Sequence, residues 1–122
     1  MTDADYSSGP EEPAASRLHI ATDAIPWRAF TDATGVEYKV LRRHAGAGGL
    51  TLLLRFAPGT SYHAHRHPAG EEYLVLAGSL EDGGRTYGAG DYVYYPPGSA
   101  HLPASREGAT LLVLLPAAIE RL

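Results

Sequence analysis

The sequence predicts a single all-β domain, a small sandwich or barrel, and three observations carry that prediction. From Ile25 onward, short β-prone runs are separated by glycine-containing turns. No segment of any length repeats its apolar residues at the 3.6-residue period of an amphipathic helix. Two Gly- and Pro-bounded segments, G-T-S-Y-H-A-H-R-H-P-A-G-E at 59–71 and G-D-Y-V-Y-Y-P-P-G-S-A-H at 90–101, hold residue types that fit together as one metal site. A barrel brings such segments together, whereas a flat sheet gives the second no reason to meet the first.

In chain order, residues 1–24 come first, an acidic tail rich in Ser, Ala and Pro with few large apolar groups. Such a composition cannot offset ordering entropy by burial, so the tail is expected to be largely flexible. Leu18, His19 and Ile20 leave open an edge strand or an arm crossing to a partner subunit. The domain proper is expected at 25–122. Its first strands are predicted at 37–43 (E-Y-K-V-L-R-R) and 50–56 (L-T-L-L-L-R-F), joined by the hairpin loop A-G-A-G-G. Ala57-Pro58-Gly59 turns the chain into the histidine segment, and 71–76 (E-E-Y-L-V-L) is the next strand. Asp82-Gly83-Gly84 is a hairpin signal. Strands at 91–95 and 109–115 complete the set, and 117–122 is predicted as a closing turn of helix.

Composition narrows the functional classes. The chain has 122 residues, a single-domain length whose folded part can bury roughly two-thirds of its unfolded surface. It has no cysteine, which removes disulfides, thiolate metal ligands and a cysteine nucleophile together. Its formal charge of −4 arises in the tail, where Asp3, Asp5, Glu11 and Glu12 precede the first basic residue, Arg17. The remainder is balanced, so no nucleic-acid-binding face is expected. No apolar run reaches the length of a membrane span and no basic-then-apolar leader opens the chain; no membrane association and a cytoplasmic location are expected.

The chemistry lies in the two motif segments. Side chains two apart on a strand share a face, so His65 and His67 converge. Glu71 has the same parity and returns to them if Pro68-Ala69-Gly70 turns the chain. His101 arrives from the second segment, giving three imidazoles and one carboxylate. His63 shares the parity and is expected at the rim or behind a ligating imidazole. Arg66 and Glu72 have the opposite parity and face away, Glu72 as a solvated or subunit-interface carboxylate. Among Tyr62, Tyr73, Tyr92, Tyr94 and Tyr95, most are expected in the core, with one or two directed at the site; Tyr73 is a pocket candidate. Arg55, a charge in an apolar strand, either lines the pocket and needs an anionic partner or lies on an exposed face. Gly59, Gly70, Gly78, Gly90 and Gly98 serve turns.

These segments resemble the two motifs of the cupin superfamily, G-x5-H-x-H-x3-E-x6-G and G-x5-P-x-G-x2-H. Gly59, His65, His67, Glu71 and Gly78 fill the first, and Gly90, Pro96, Gly98 and His101 the second. The Asn that some cupins place four residues after the last His is replaced by Ser105. H-P-A-G-E-E-Y-L-V-L-A-G, Y-P-P-G-S-A-H, T-L-L-L-R-F-A-P-G and Trp27 are similar to the ChrR-like cupins. The resemblance implies a jelly roll, or double-stranded β-helix, with His65, His67, Glu71 and His101 as ligands of one divalent transition metal per chain. Fe, Mn, Ni, Zn and Cu all accept this ligand set. ChrR is an anti-sigma factor with an additional helical zinc domain; none of these 122 residues resembles that domain, so the anti-sigma role is not expected.

The function expected first is that of a dioxygenase-like oxidoreductase acting on a chelating dicarbonyl or enolisable small molecule, with Glu71 as a base. The alternatives are a non-redox isomerase, cyclase or decarboxylase at the same centre, or a non-catalytic metal-containing ligand-binding or sensing module. A homodimer is expected, because a small open barrel leaves sheet edges for a partner to cover.

Overall fold

A computed structural model describes residues 9–13 and 16–122. After a 3-10 turn at Thr22–Ala24, the described chain is a succession of strands: β1 (Arg28–Ala29), β2 (Val36–Arg43), β3 (Gly48–Phe56), β4 (Thr60–Ser61), β5 (His65–His67) and β6 (Glu71–Asp82). These are followed by β7 (Arg85–Gly88), β8 (Tyr92–Tyr95), β9 (Ser99–His101), β10 (Ala104–Ser105), β11 (Ala109–Ala117) and β12 (Glu120–Arg121). The larger sheet runs β1-β2-β3-β11-β6-β10-β4, with β7 and β8 also paired to β6; the smaller runs β12-β5-β9. All these strand pairings are antiparallel.

Alternation along the strands builds one core. On β3 the inward residues are Leu50, Leu52, Leu54 and Phe56, and on β11 they are Ala109, Leu111, Val113 and Leu115, all buried. Val36, Tyr38 and Val40 of β2, with Tyr73, Val75 and Leu80 of β6, close the same core. Burying these side chains on one face of a period-2 pattern drives the sheet to curl around them.

The strand that matters most for the site is β6, because it serves two regions of the barrel. Its first half pairs with β8 and β11 and its second half with β7 and β10. The β11 register steps from Thr110↔Ala77 to Leu111↔Val75, which leaves Leu76 as an extra residue in β6. A bulge of this kind shifts the inward parity. Glu71, Tyr73 and Val75 are buried before it, and Leu80 and Asp82 after it.

One predicted element is corrected, and one open placement is resolved. The expected helical turn at 117–122 is instead the end of β11 and the short strand β12, which pairs Glu120 with Arg66 and Arg121 with His65. A final segment without apolar helical periodicity satisfies its backbone on the edge of β5. Leu18, His19 and Ile20 form no strand. Residues 1–8, 14 and 15 of the expected flexible tail lie outside the described residues, while 9–13 lie along β2, where Arg43 N–H donates to the Pro10 carbonyl and Glu12 N–H donates to the Arg43 carbonyl.

Candidate metal centre

β5 and β9 form the floor on which the site is built. Their ladder sets His65 opposite His101 and His67 opposite Ser99, so three imidazoles share one face of a two-strand pair. Glu71 begins β6 after the turn at 68–70. In that turn Gly70 N–H donates to the His67 carbonyl at 3.2 Å, and Gly70 adopts φ +84°. A Cβ at this position would stand 2.7 Å from the Tyr95 carbonyl oxygen. Glycine is therefore required both by backbone conformation and by space, and the tight turn it permits brings Glu71 back over the imidazoles.

The result is a compact cluster. One donor atom from each of His65, His67, Glu71 and His101 lies within 4.8 Å of every other. His101 Nε2 is 2.9 Å from His65 Nε2 and 3.1 Å from His67 Nε2. Glu71 approaches with Oε2 3.3 Å from His67 Nε2 and Oε1 3.5 Å from His101 Nε2. His65, His67 and Glu71 are buried, and the His101 side chain is 5% exposed.

Whether such a cluster suits a cation is settled by where the imidazole protons must sit. His65 Nδ1 lies 2.9 Å from the His63 carbonyl oxygen, and His101 Nδ1 lies 2.9 Å from Asp82 Oδ2. Those partners only accept hydrogen bonds, so both rings carry the proton on Nδ1. Burial also pushes the His65 imidazole down to about 3, with the His63 carbonyl only partly offsetting it, so this ring is neutral. Two Nε2 lone pairs then face each other across 2.9 Å, beside a carboxylate. His67 adds its own Nε2, its Nδ1 being 3.2 Å from the Ser99 hydroxyl. A buried arrangement of mutually facing lone pairs is relieved by a cation among them, and the four residues fit a divalent transition metal.

Asp82 is the residue beside the cluster that sequence reasoning missed. It is 2% exposed, and its Oδ2 accepts from the Tyr73 hydroxyl at 2.8 Å as well as from His101. Burial raises its carboxyl, but the hydrogen bonds from His101, Tyr73 and Tyr95 outweigh burial and hold it below the usual carboxylate value. Tyr73 and Tyr95 are correspondingly pushed up, first by burial and then by the Asp82 carboxylate, so both remain phenols.

The other candidates separate cleanly. The Tyr95 ring packs against His101 and His67 at 4.7 and 5.5 Å, and Tyr62 meets His65 edge-on at 5.3 Å. Tyr92 and Tyr94 are exposed on the outside of the barrel, where the Tyr92 hydroxyl donates to Glu72. His63 stands outside the four-residue cluster, 3.6 Å from Asp32, and reaches the site through its carbonyl. Arg55 takes the second of its two expected placements, on an exposed face and not in the pocket. It lies on the outward face of β3, its guanidinium bonded to Glu37 and stacked 4.2 Å from the Trp27 ring. Arg66 is exposed between its two inward neighbours.

Next to the cluster the barrel encloses a narrow cavity. His65, Glu71 and His101 line it together with Leu52, Leu54, Phe56, Leu80, Leu111, Val113, Leu115, Pro103 and the rings of Tyr62 and Tyr73. No Lys or Arg is among these residues, and Glu71 is the single carboxylate.

Comparison with known proteins agrees with this geometry. The family model for the ChrR cupin-like domain matches residues 15–118. A candidate acetylacetone dioxygenase of Methylibium petroleiphilum superposes with a TM-score of 0.83 at 20% identity, over 91% of this chain and 84% of that one. The polyketide cyclase RemF of Streptomyces resistomycificus gives 0.73 at 19% identity, over 88% and 86%. ChrR of Rhodobacter sphaeroides, in its complex with SigE, gives 0.65 at 25% identity over 76% of this chain, which spans 49% of ChrR. No curated protein matches the sequence.

Proposed function

The chain belongs to the ChrR cupin-like domain family, and on that premise we propose that it is a metal-dependent small-molecule enzyme, a dioxygenase-like oxidoreductase acting on a small enolisable dicarbonyl. The observation that carries the proposal is the four-residue cluster, buried and bordering an apolar cavity without a cation.

His65, His67, His101 and Glu71 would hold the metal. When bound, a divalent transition metal would supply Lewis acidity toward two substrate oxygens and would bring dioxygen next to the activated carbon, Glu71 leaving the metal to serve as the base. The rest of the chemistry belongs to the protein. The leucine and valine walls receive the hydrocarbon body of the substrate and exclude water from the reacting carbon. Glu71, the one carboxylate facing the cavity, is the base that takes the proton from the carbon between the carbonyls. With no Lys or Arg in the walls, a dicarboxylate would bring charge into an apolar space with no protein counter-ion. An uncharged dicarbonyl enters without that cost, and the negative charge of its enolate would be met by the metal.

The likeness to a polyketide cyclase keeps a second reading in view, in which the same proton transfer at Glu71 ends in isomerisation or cyclisation without oxygen. One experiment separates these readings from a binding module. A panel of small 1,3- and 1,2-dicarbonyls is incubated with protein loaded with Fe²⁺, Mn²⁺, Ni²⁺, Zn²⁺ or Cu²⁺, with and without oxygen. Product that tracks metal occupancy and consumes oxygen supports the dioxygenase; product without oxygen supports the cyclase or isomerase. Tight binding with no turnover under any condition overturns both and leaves a sensing module. A homodimer is part of the same proposal, and light scattering at micromolar concentration tests it, a monomeric mass counting against it.

A further inference from the structure

The three imidazoles are not equivalent, and the difference lies in what stands behind each. His65 donates Nδ1–H to a backbone carbonyl and His67 pairs with the Ser99 hydroxyl, both neutral partners. Behind His101 stands a carboxylate, 2.9 Å away and 2% exposed. The Asp82 side chain is itself held by the Tyr73 hydroxyl at 2.8 Å, and Tyr73 is 1% exposed. Nothing about this arrangement is a surface accident, because a buried carboxylate without such partners would be costly.

We propose that Asp82 is the positioning residue of the site: it fixes the His101 ring with Nδ1 protonated and Nε2 turned toward Glu71, and makes His101 the strongest imidazole donor. This rests on the metal-site reading above but concerns the ligand sphere, whatever reaction follows. A carboxylate accepting the far N–H of a ligating imidazole orients the ring, fixes its tautomer and raises its basicity toward the metal. A neutral acceptor orients it without adding the charge. Asp82 also ties the site to the far end of β6, since Glu71 opens that strand and Asp82 ends it. One strand thus supplies a ligand at its start and the support of another ligand at its end.

The test uses the full chain, stripped of metal and titrated with Co²⁺ against a competing chelator. Asp82→Asn is expected to weaken Co²⁺ binding by about tenfold to a hundredfold and to shift the visible cobalt absorption. Ser99→Ala, which removes the neutral partner of His67, is expected to weaken it only a few-fold. Affinity within twofold of the wild type and an unchanged cobalt spectrum in folded Asp82→Asn would overturn the proposal, as would an equal loss in Ser99→Ala. Imidazole ¹⁵N resonances of the metal-free wild type give a second reading, independent of whether the variant folds or the metal binds. His101 protonated on Nδ1 supports the assignment, and His101 protonated on Nε2 refutes it. Failure of wild-type protein to bind any metal, with His101 still protonated on Nδ1, would defeat the metal reading while sustaining the role of Asp82 in holding the ring.

Discussion

At the scale of single residues, His65 shows how burial selects a protonation state. In the unfolded chain its imidazole titrates near 6.5, whereas in the fold burial pushes it down to about 3. Above about pH 6.5 both states are neutral and nothing is lost. As pH falls below that value the unfolded state takes up a proton that the folded state refuses, so stability declines progressively toward pH 3. Metal-free protein should therefore show a falling urea midpoint between pH 7 and 4, and a His65→Gln variant a shallower fall. Parallel curves would mean that the fold does not hold His65 neutral. The ligand set makes a separate prediction. His65→Ala, His67→Ala and His101→Ala should each lower metal content strongly by elemental analysis, and Glu71→Ala less, because a carboxylate is more readily replaced by water than an imidazole lodged in the ladder. Undiminished metal in a His67→Ala/His101→Ala double variant would end the metal-site reading.

At the scale of elements, the bulged strand β6 decides what could be read from the sequence and what could not. His65 and His67 were legible because two residues apart on a short strand is the simplest parity argument, and Glu71 because the Pro-Ala-Gly turn preserves it. Asp82 was not. Eleven positions after Glu71, it has the wrong parity for the same face, and beside Gly83-Gly84 it looks like a turn residue. The extra residue at Leu76 reverses the parity, and its one local sign in L-V-L-A-G-S, Gly78, reads equally as a turn that ends the strand. The short strands β9 and β12 were invisible for a related reason: each is two or three residues long and exists through pairing with β5 rather than through its own pattern. Gly78 lies just beyond the bulge at φ +73°, where a Cβ would overlap the carbonyl oxygen of Gly108. Gly84, at φ +80°, has open space around it. Both positions penalise an L-residue through conformation, by about 1–2 kcal/mol, but only Gly78 adds a backbone collision. Urea unfolding should show Gly78→Ala losing clearly more stability than Gly84→Ala, along with metal, since the bend carries Asp82 to His101. Equal losses would show that conformation alone, and not the approach of β11, requires glycine at the bend.

At the scale of the whole molecule, the question is how much of the chain before β1 the barrel needs. Residues 9–13 meet β2 through backbone hydrogen bonds at Arg43 and through ion pairs of Glu11 with Arg43 and Glu12 with Arg42. Glu11 is 76% exposed, and such surface pairs contribute little. The segment from Thr22 to Trp27 is different. The Thr22 carbonyl accepts from Lys39 Nζ at 2.8 Å, and the Trp27 ring lies 4.8 Å from that ammonium and 4.2 Å from the Arg55 guanidinium. Together they cover the outer face of β2 and β3, leaving Lys39 only 6% exposed. Deleting residues 1–16 should therefore leave metal content unchanged and the melting temperature within a few degrees. Deleting 1–27 should lower it much further, because the outer face of β2 and β3 loses its cover and the contacts of Trp27 with the Lys39 and Arg55 cations are lost. A circular-dichroism melt of the two truncations checks this directly. If the shorter deletion already unfolds the protein, the docked residues 9–13 belong to the domain rather than to a dispensable tail, and the boundary expected at residue 25 must move toward the amino terminus.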